Sequence, residues 1–208
     1  MTNCRNSSDT RVRSSWRPGP ATAAAKRAMD ITIAAPALLV LTVPMLVVAL
    51  AIRLHDGGPA LYRQTRVGRN CRPFGMMKFR SMVVDAESVG GYATTTNDVR
   101  ITPVGRFIRR TSLDELPQLF NVLLGEMSIV GPRPDVPAQE CHYSSAQWQM
   151  RHTLRPGITG LAQAVSRSVA SAKVRTELDL AYIRDFSLIL DLKIIFMTFA
   201  QLLKKNSN

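Results

Sequence analysis

Cysteine and histidine are scarce in this chain of 208 residues, with three of each. Cys4, Cys71 and Cys141 are too few and too scattered for a disulfide framework or a zinc cluster. A reducing, cytosol-facing setting is the simplest consequence. His55, His142 and His152 lack metal-ligand spacing. No Gly-x-Gly-x-x-Gly and no Walker A sequence occurs, so neither loop supports nucleotide binding. Spacing yields no Ser/His/Asp arrangement, and there is no internal repeat or low-complexity segment. Aromatics are only 6% and no DNA- or RNA-binding motif is present, which weighs against a nucleic-acid binder. Acidic residues are also short, 15 against 27 Lys and Arg, for a net charge of +12.

That charge coexists with a mean hydropathy of 0.00, so charge and apolar residues must be segregated along the chain. A disordered basic protein is thereby excluded, because such a chain has too few apolar residues to bury. One compact domain with an added segment is expected, large enough for a sizeable core.

The apolar residues concentrate in 22 uncharged positions, Ile31 to Ile52. At 1.5 Å per residue these reach roughly 33 Å, enough to cross a hydrocarbon core of about 30 Å. A signal peptide fits poorly: the run starts late, exceeds a normal h-region and has no A-x-A-like cleavage site after it. Basic residues crowd both flanks, including Arg5, Arg11, Arg13, Arg17, Lys26 and Arg27 before it and Arg53, Arg63, Arg66, Arg69, Arg72, Lys78 and Arg80 after it. Lys and Arg mark cytoplasmic flanks, so neither end reads as translocated. Pro36 and Pro44 can each kink a helix. The expectation is a re-entrant, kinked membrane helix, with a straight span and a buried soluble helix as competitors.

The rest reads as mainly α with a small β hairpin. Residues 1–25 form a flexible basic arm, 26–54 the membrane helix and 55–205 a cytosolic interfacial catalytic domain. Residues 60–83 read as short strands around a turn at Gly68-Arg69-Asn70. Residues 85–98 read as a loop. A short basic helix is expected over Pro103–Arg110. A second runs Leu113–Leu124 with Leu113, Leu116, Phe120 and Leu123/Leu124 on one face and Gly125 as its stop. Residues 131–137 and 155–160 read as proline-stiffened loops, and 138–153, 176–186 and about 188–205 as helices. The last is apolar on one face and could pack on the domain or lie in the membrane interface.

Asp114-Glu115, in TSLDELPQL, follows Arg106, Arg109 and Arg110. Two readings stand. Ser112 with Glu115 fits a capping box, and acids suit a first helical turn. Alternatively, a carboxylate beside arginines can attack phosphorus while its neighbour holds a divalent metal. Arg133 lies between prolines in Gly131-Pro132-Arg133-Pro134, and Arg155 precedes Pro156-Gly157. A guanidinium fork matches phosphate, and stiff loops pre-organise it.

The chain resembles the bacterial sugar transferases, the small monotopic phosphoglycosyl transferases, from about Lys26 to Lys204. The resemblance is carried by KRAMD, LYRQTRVGRN, FGMMKFRSM, VGRFIRRTSLDELPQLFNVLLGEMSIVGPRP, LRPGITGLAQ and ELDLAYIRDFSLILDLKIIF. It implies transfer of a sugar 1-phosphate from a UDP-sugar to polyprenyl (undecaprenyl) phosphate with release of UMP, the first membrane step of polysaccharide or glycoconjugate synthesis. It implies Asp114 as a nucleophile forming a covalent phosphosugar intermediate, and Glu115, with Asp114, as a holder of Mg²⁺. It places Arg109, Arg133, Lys78 and Arg155 on substrate phosphate, and Gln163, Arg167 and Asp179 near the nucleotide-sugar. Pro44, supported by Pro36, matches the helix break. Implied partners are the UDP-sugar, polyprenyl phosphate and membrane lipids, with no nucleic acid and with homodimerisation open. The implied location is the cytoplasmic face of a bacterial inner membrane, and the length is expected to exclude the longer members with extra N-terminal spans. The sequence departs from the family pattern at Val43, before the helix-break proline, and at Leu161 and Val165-Ser166; the last two departures motivate one alternative, a non-catalytic scaffold of the same fold. A basic, membrane-tethered nucleic-acid binder is the other. In support of the enzyme, residues 53–110 carry a net charge of +7, attractive to anionic substrates and headgroups.

Overall fold

A computed structural model of the chain describes residues 18–86, 98–165 and 171–205. Residues 1–17 of the expected 1–25 arm, most of the 85–98 loop and Arg167 lie outside the described residues, and the end of that arm, from Pro20, is helical.

Helix α1 runs Pro20–Asp56, longer at both ends than the expected 26–54. Pro20 supplies a pre-set φ at the first position, where its missing N–H costs nothing. Gly57 stops the helix in the left-handed region at φ 70°, its N–H donating to the Arg53 carbonyl. Pro36 and Pro44 both lie inside it. At 37 residues it is about 55 Å long. Among the described residues it is the one helix long and apolar enough to cross a membrane.

Its buried positions, Lys26, Asp30, Ala34, Leu38, Met45, Val48 and Ile52, form a stripe at three-, four- and seven-residue steps. The opposite surface exposes Leu39, Val40, Val43, Leu46, Val47 and Leu50, with Leu39 80% exposed. An apolar surface of that extent requires a non-aqueous partner.

The hairpin β1 (Leu61–Val67) and β2 (Pro73–Phe79) is antiparallel, pairing Leu61 with Phe79 and Val67 with Pro73. Its tip forms where expected, with Asn70 and Cys71 both near φ 58°. Helix α2 (Pro103–Thr111) is capped by Thr102, whose Oγ1 accepts the Gly105 N–H. A Cβ on Gly105 would overlap the Ser81 carbonyl oxygen, so glycine permits the close approach of α2 to that segment.

The expected helix over Leu113–Leu124 is divided into a 3-10 turn at Leu113–Glu115 and α3 at Gln118–Leu124. The buried face also differs: Leu119 and Val122 enter the core, while Phe120 and Leu124 are exposed. Pro117 has no N–H to give the Leu113 carbonyl, and the bonds around it span three residues (Leu116 N–H to Leu113 C=O, Leu119 N–H to Leu116 C=O), so the turn and helix do not share one continuous 3.6-residue repeat.

One of the two proline-rich segments is less irregular than expected. A parallel pair links β3 (Ser128–Val130), just before the 131–137 loop, with β4 (Gly157–Thr159), which orders part of the expected 155–160 loop. The expected helix over 138–153 becomes a 3-10 segment Pro137–His142 and α4 (Ser145–Arg151), the latter with a Ser144/Gln147 capping box. Helices α5 (Leu161–Val165), α6 (Ala172–Arg184) and α7 (Leu188–Lys205) complete the order. The fold is mainly helical around two small sheets, with a core joining α1, β2, α3, β3 and the later helices.

Candidate active site

Ser112 does not form the capping box. It sits in the left-handed region at φ 60°, closes α2, and makes no side-chain cap. This sharp reversal puts Asp114 and Glu115 on a single 3-10 turn, between the basic end of α2 and β2.

The two carboxylates have different surroundings. Glu115 Oε1 accepts from Arg133 at 3.2 Å and lies 3.7 Å from Lys78 Nζ. Asp114 makes no ion pair among the described residues, though Lys78 and Arg109 act on it through space. Burial, then the neighbouring Glu115 charge, raises the Asp114 pKa against the pull of Lys78 and Arg109. Lys78 is shifted down, chiefly by burial and with a contribution from Arg133, against the attraction of Glu115. One carboxylate thus holds the local cations, while the other is partly desolvated and uncommitted.

Each cation comes from a different element. Arg109, in the last turn of α2, donates through Nε to Ser81 Oγ at 2.8 Å. Lys78 lies on β2, and Asn121 of α3 splices that strand to the helix. The fully buried Asn121 accepts from Met77 N–H and donates to Gly75 C=O, both at 2.9 Å. It also donates to Glu126 at 2.7 Å. A side-chain amide thereby replaces a neighbouring strand at the residue beside Lys78.

Arg133 sits in the loop after β3, held from two sides. Arg151 donates to the Arg133 carbonyl at 2.9 Å, and Arg66 to the Pro134 carbonyl at the same distance. Arg151 is itself ion-paired with Asp135 at 2.6 Å and with Asp179. Burial would lower the Arg151 pKa, but Asp179 and Asp135 outweigh it and hold the guanidinium charged. Arg66 is lowered to about 10 by burial and by Arg133.

The structure therefore joins Asp114, Glu115, Lys78, Arg109 and Arg133 around one turn. It does not bring every expected residue there. Asp179 is buried against Arg151 and acts on Arg133 only through it. Gln163 donates to the Ile158 carbonyl at 3.1 Å. Arg155 donates to the Gly125 carbonyl at 2.7 Å, beyond the far end of α3, and its electrostatic neighbours are Arg69, Arg27 and Asp30. Arg66, Asn121 and Arg151 are additions. Alternation along LYRQTRV, with Tyr62, Gln64 and Arg66 on the inward face, was the available signal for Arg66. Asn121 and Arg151 carry no local signal.

The hard oxygens of Asp114 and Glu115 suit Mg²⁺, which typically takes one or two carboxylates plus substrate phosphates. Among the described residues no group of three His, Cys, Asp or Glu could enclose an ion. A metal here would depend on substrate oxygens to complete its shell, as Mg²⁺ commonly does.

A family profile described as bacterial sugar transferase matches residues 21–205. The chain is 44% identical over 180 residues to the UDP-glucose:undecaprenyl-phosphate glucose-1-phosphate transferase of Klebsiella pneumoniae, covering 83% of this chain and 39% of that protein. It is 46% identical over 191 residues to the exopolysaccharide production protein PSS of Rhizobium leguminosarum bv. phaseoli, covering 83% of this chain and 92% of that one. It is 41% identical over 191 residues to the UDP-N-acetylgalactosamine-undecaprenyl-phosphate N-acetylgalactosaminephosphotransferase of Aeromonas hydrophila, covering 89% and 45%. The chain thus spans under half the length of the Klebsiella and Aeromonas relatives and nearly all of the Rhizobium one.

Proposed function

The chain belongs to the bacterial sugar transferase family, and on that premise we propose that it transfers a sugar 1-phosphate from a UDP-sugar to polyprenyl phosphate. The product is a polyprenyl diphosphate sugar, the first membrane-linked intermediate of a polysaccharide or glycoconjugate. The observation that carries this reading is the asymmetric dyad: Glu115 engages Arg133 and Lys78, while Asp114 has no ion pair among the described residues.

In the first half-reaction an Asp114 carboxylate oxygen attacks the β-phosphorus of the UDP-sugar. The bond from that phosphorus to the α-phosphate oxygen breaks, and UMP leaves. In the second, an oxygen of polyprenyl phosphate attacks the same phosphorus and the aspartyl O–P bond breaks. Arg109, Lys78 and Arg133 surround the dyad and would offset charge on the transferring group. Partial desolvation of Asp114 raises its basicity, which favours attack once the carboxylate is ionised. Asp114 and Glu115 would hold Mg²⁺, which when bound neutralises phosphate oxygens as a Lewis acid.

A re-entrant α1 would place this site at the cytoplasmic face. The reading is supported by attachment of both helix ends to the same domain. Near one end Arg27 donates to the Val122 and Leu123 carbonyls at 2.5 and 2.7 Å, and at the other Asp56 pairs with Arg80. A straight span would separate those ends by the bilayer. The Rhizobium relative's name places it in exopolysaccharide production, which suits the proposed pathway class.

Purified protein with Mg²⁺, undecaprenyl phosphate and a panel of UDP-sugars should yield UMP and lipid-linked sugar in equal amounts. Asp114→Asn should reduce turnover by about 1,000-fold or more. Parent-like turnover in that variant would remove Asp114 as nucleophile.

A further inference from the structure

A second cluster of cations lies beyond the C-terminal end of α3, apart from the dyad. A cavity of about 110 Å³ is lined by Lys26, Asp30, Arg69, Ser128, Arg155 and Tyr182, among others. Its basic groups come from three distant parts of the chain. Arg69 is on the hairpin tip, and the Asn70 N–H bonds to the His152 carbonyl at 2.7 Å, which draws that tip toward the segment bearing Arg155. Behind the cavity, Arg27 and Arg155 both reach over Gly125: a Cβ placed there would lie 3.6 Å from Arg27 Nη2 and 4.0 Å from Arg155 Nη2.

The acids present do not balance these charges. Lys26 is paired with Asp191 at 2.7 Å and with Asp30 at 3.5 Å, so two carboxylates are largely committed to one buried ammonium. Asp30 is further occupied by Ser128 Oγ and Ile129 N–H, at 2.9 and 3.0 Å, and Asp191 by Tyr182. Arg27 and Arg155 donate to carbonyls ending α3, which accept hydrogen bonds but carry no full charge. Arg69 has no side-chain hydrogen bond or ion pair among the described residues. Counting four cations against Asp30 and Asp191 leaves two positive charges in excess. Arg69 is exposed and Arg27 and Arg155 are half-buried, and the mutual repulsion of the three guanidiniums, only partly offset by Asp30, is relieved by a bound anion.

We propose that this cavity is a second anion site that accepts one phosphate group, held by Arg69 and Arg155 with Lys26 beneath. Its size suits a phosphate and is too small for a nucleotide. Its position suggests a source. The cavity opens beside the first turns of α1, and Ile31, where the uncharged run begins, is already 40% exposed. A phospholipid headgroup at that level would reach the arginines, and so would free phosphate. Occupancy would fasten the hairpin tip to the start of α1. The proposal is independent of transfer activity.

The test is thermal unfolding of the full chain in neutral detergent, titrated separately with inorganic phosphate, phosphatidylglycerol and phosphatidylcholine. A probe at ten times its Kd should raise the midpoint by about 3–6 °C. A response to phosphatidylglycerol but not phosphatidylcholine assigns a lipid headgroup; a response to inorganic phosphate alone assigns the free ion. Arg69→Gln, which leaves the Arg155 bond to Gly125 intact, should weaken the response about 3- to 10-fold in Kd. Arg69→Gln/Arg155→Gln should abolish it relative to that variant's own baseline, and Arg133→Gln at the dyad should leave it unchanged. The proposal is overturned if no probe shifts the parent, if the double variant responds like the parent, or if Arg133→Gln alone removes the response.

Discussion

Two adjacent carboxylates share a turn and nearly the same sequence context, yet the side chains around them give them different surroundings. Glu115 faces Arg133 and Lys78 and is held in place. Asp114 is more uncommitted and has a raised pKa. The opposite shifts of Asp114 and Lys78 have a signed consequence. Asp114 takes up its proton at a higher pH than an ordinary carboxyl, so kcat/KM should fall on acidification through a limb above about 4. Lys78 loses its proton below its usual range, so activity should also fall on the alkaline side, below about 10.4. A pH–rate profile checks both. Glu115→Gln should shift the acid limb downward, because it removes the like charge that helps raise Asp114. An unchanged limb would mean that another group controls it.

At the scale of elements, the site is assembled by side chains acting as connectors. Asn121 joins β2 to α3 with two hydrogen bonds from a fully buried amide, and a third to Glu126 holds the amide in place. Asn121→Ala would leave the Met77 N–H and Gly75 C=O without that partner. A loss of about 2–4 kcal/mol in stability is expected, measurable by denaturant unfolding, because unmet buried polar groups cost more than a hydrogen bond gains. Helix α1 is fastened at two ends in a similar way, by Arg27 and by Asp56. In a variant lacking Cys4, Cys71 and Cys141, Ala21→Cys should resist a membrane-impermeant maleimide in intact spheroplasts and react after lysis. Labelling before lysis would make α1 a straight span.

The elements also show what the sequence could carry. The apolar run, the β1–β2 hairpin, α2 and α7 were legible because local periodicity and turn chemistry define them. The division at Pro117 was obscured, since Ser112 with Glu115 satisfies a capping pattern that the left-handed Ser112 backbone does not use. The β3–β4 pair joins residues 29 positions apart at Ser128 and Gly157, beyond any local signal. Among site residues, Asp114, Glu115, Lys78, Arg109 and Arg133 were recognisable by motif. Arg155 had the same surroundings of Pro and Gly as Arg133, but its position at the far end of α3 is a tertiary fact. Asp179 was legible as a motif residue, whereas its burial against Arg151 was not.

For the whole molecule, the pairing of a net charge of +12 with zero mean hydropathy has a spatial explanation. One surface of α1 is apolar and exposed, and α7 adds Ile189, Leu192, Phe196 and Phe199. Cations collect at the dyad and again beneath the start of α1, the two places proposed to meet phosphates. The central claim is that Asp114 carries the sugar phosphate between two substrates. Mixing the protein with its UDP-sugar and Mg²⁺, with no lipid acceptor, tests it most directly by quantifying UMP and mapping any adduct by mass spectrometry. The account predicts one UMP per active site and a phosphosugar on Asp114, both absent in Asp114→Asn. UMP formed only when polyprenyl phosphate is added, with Asp114 unmodified throughout, would contradict it.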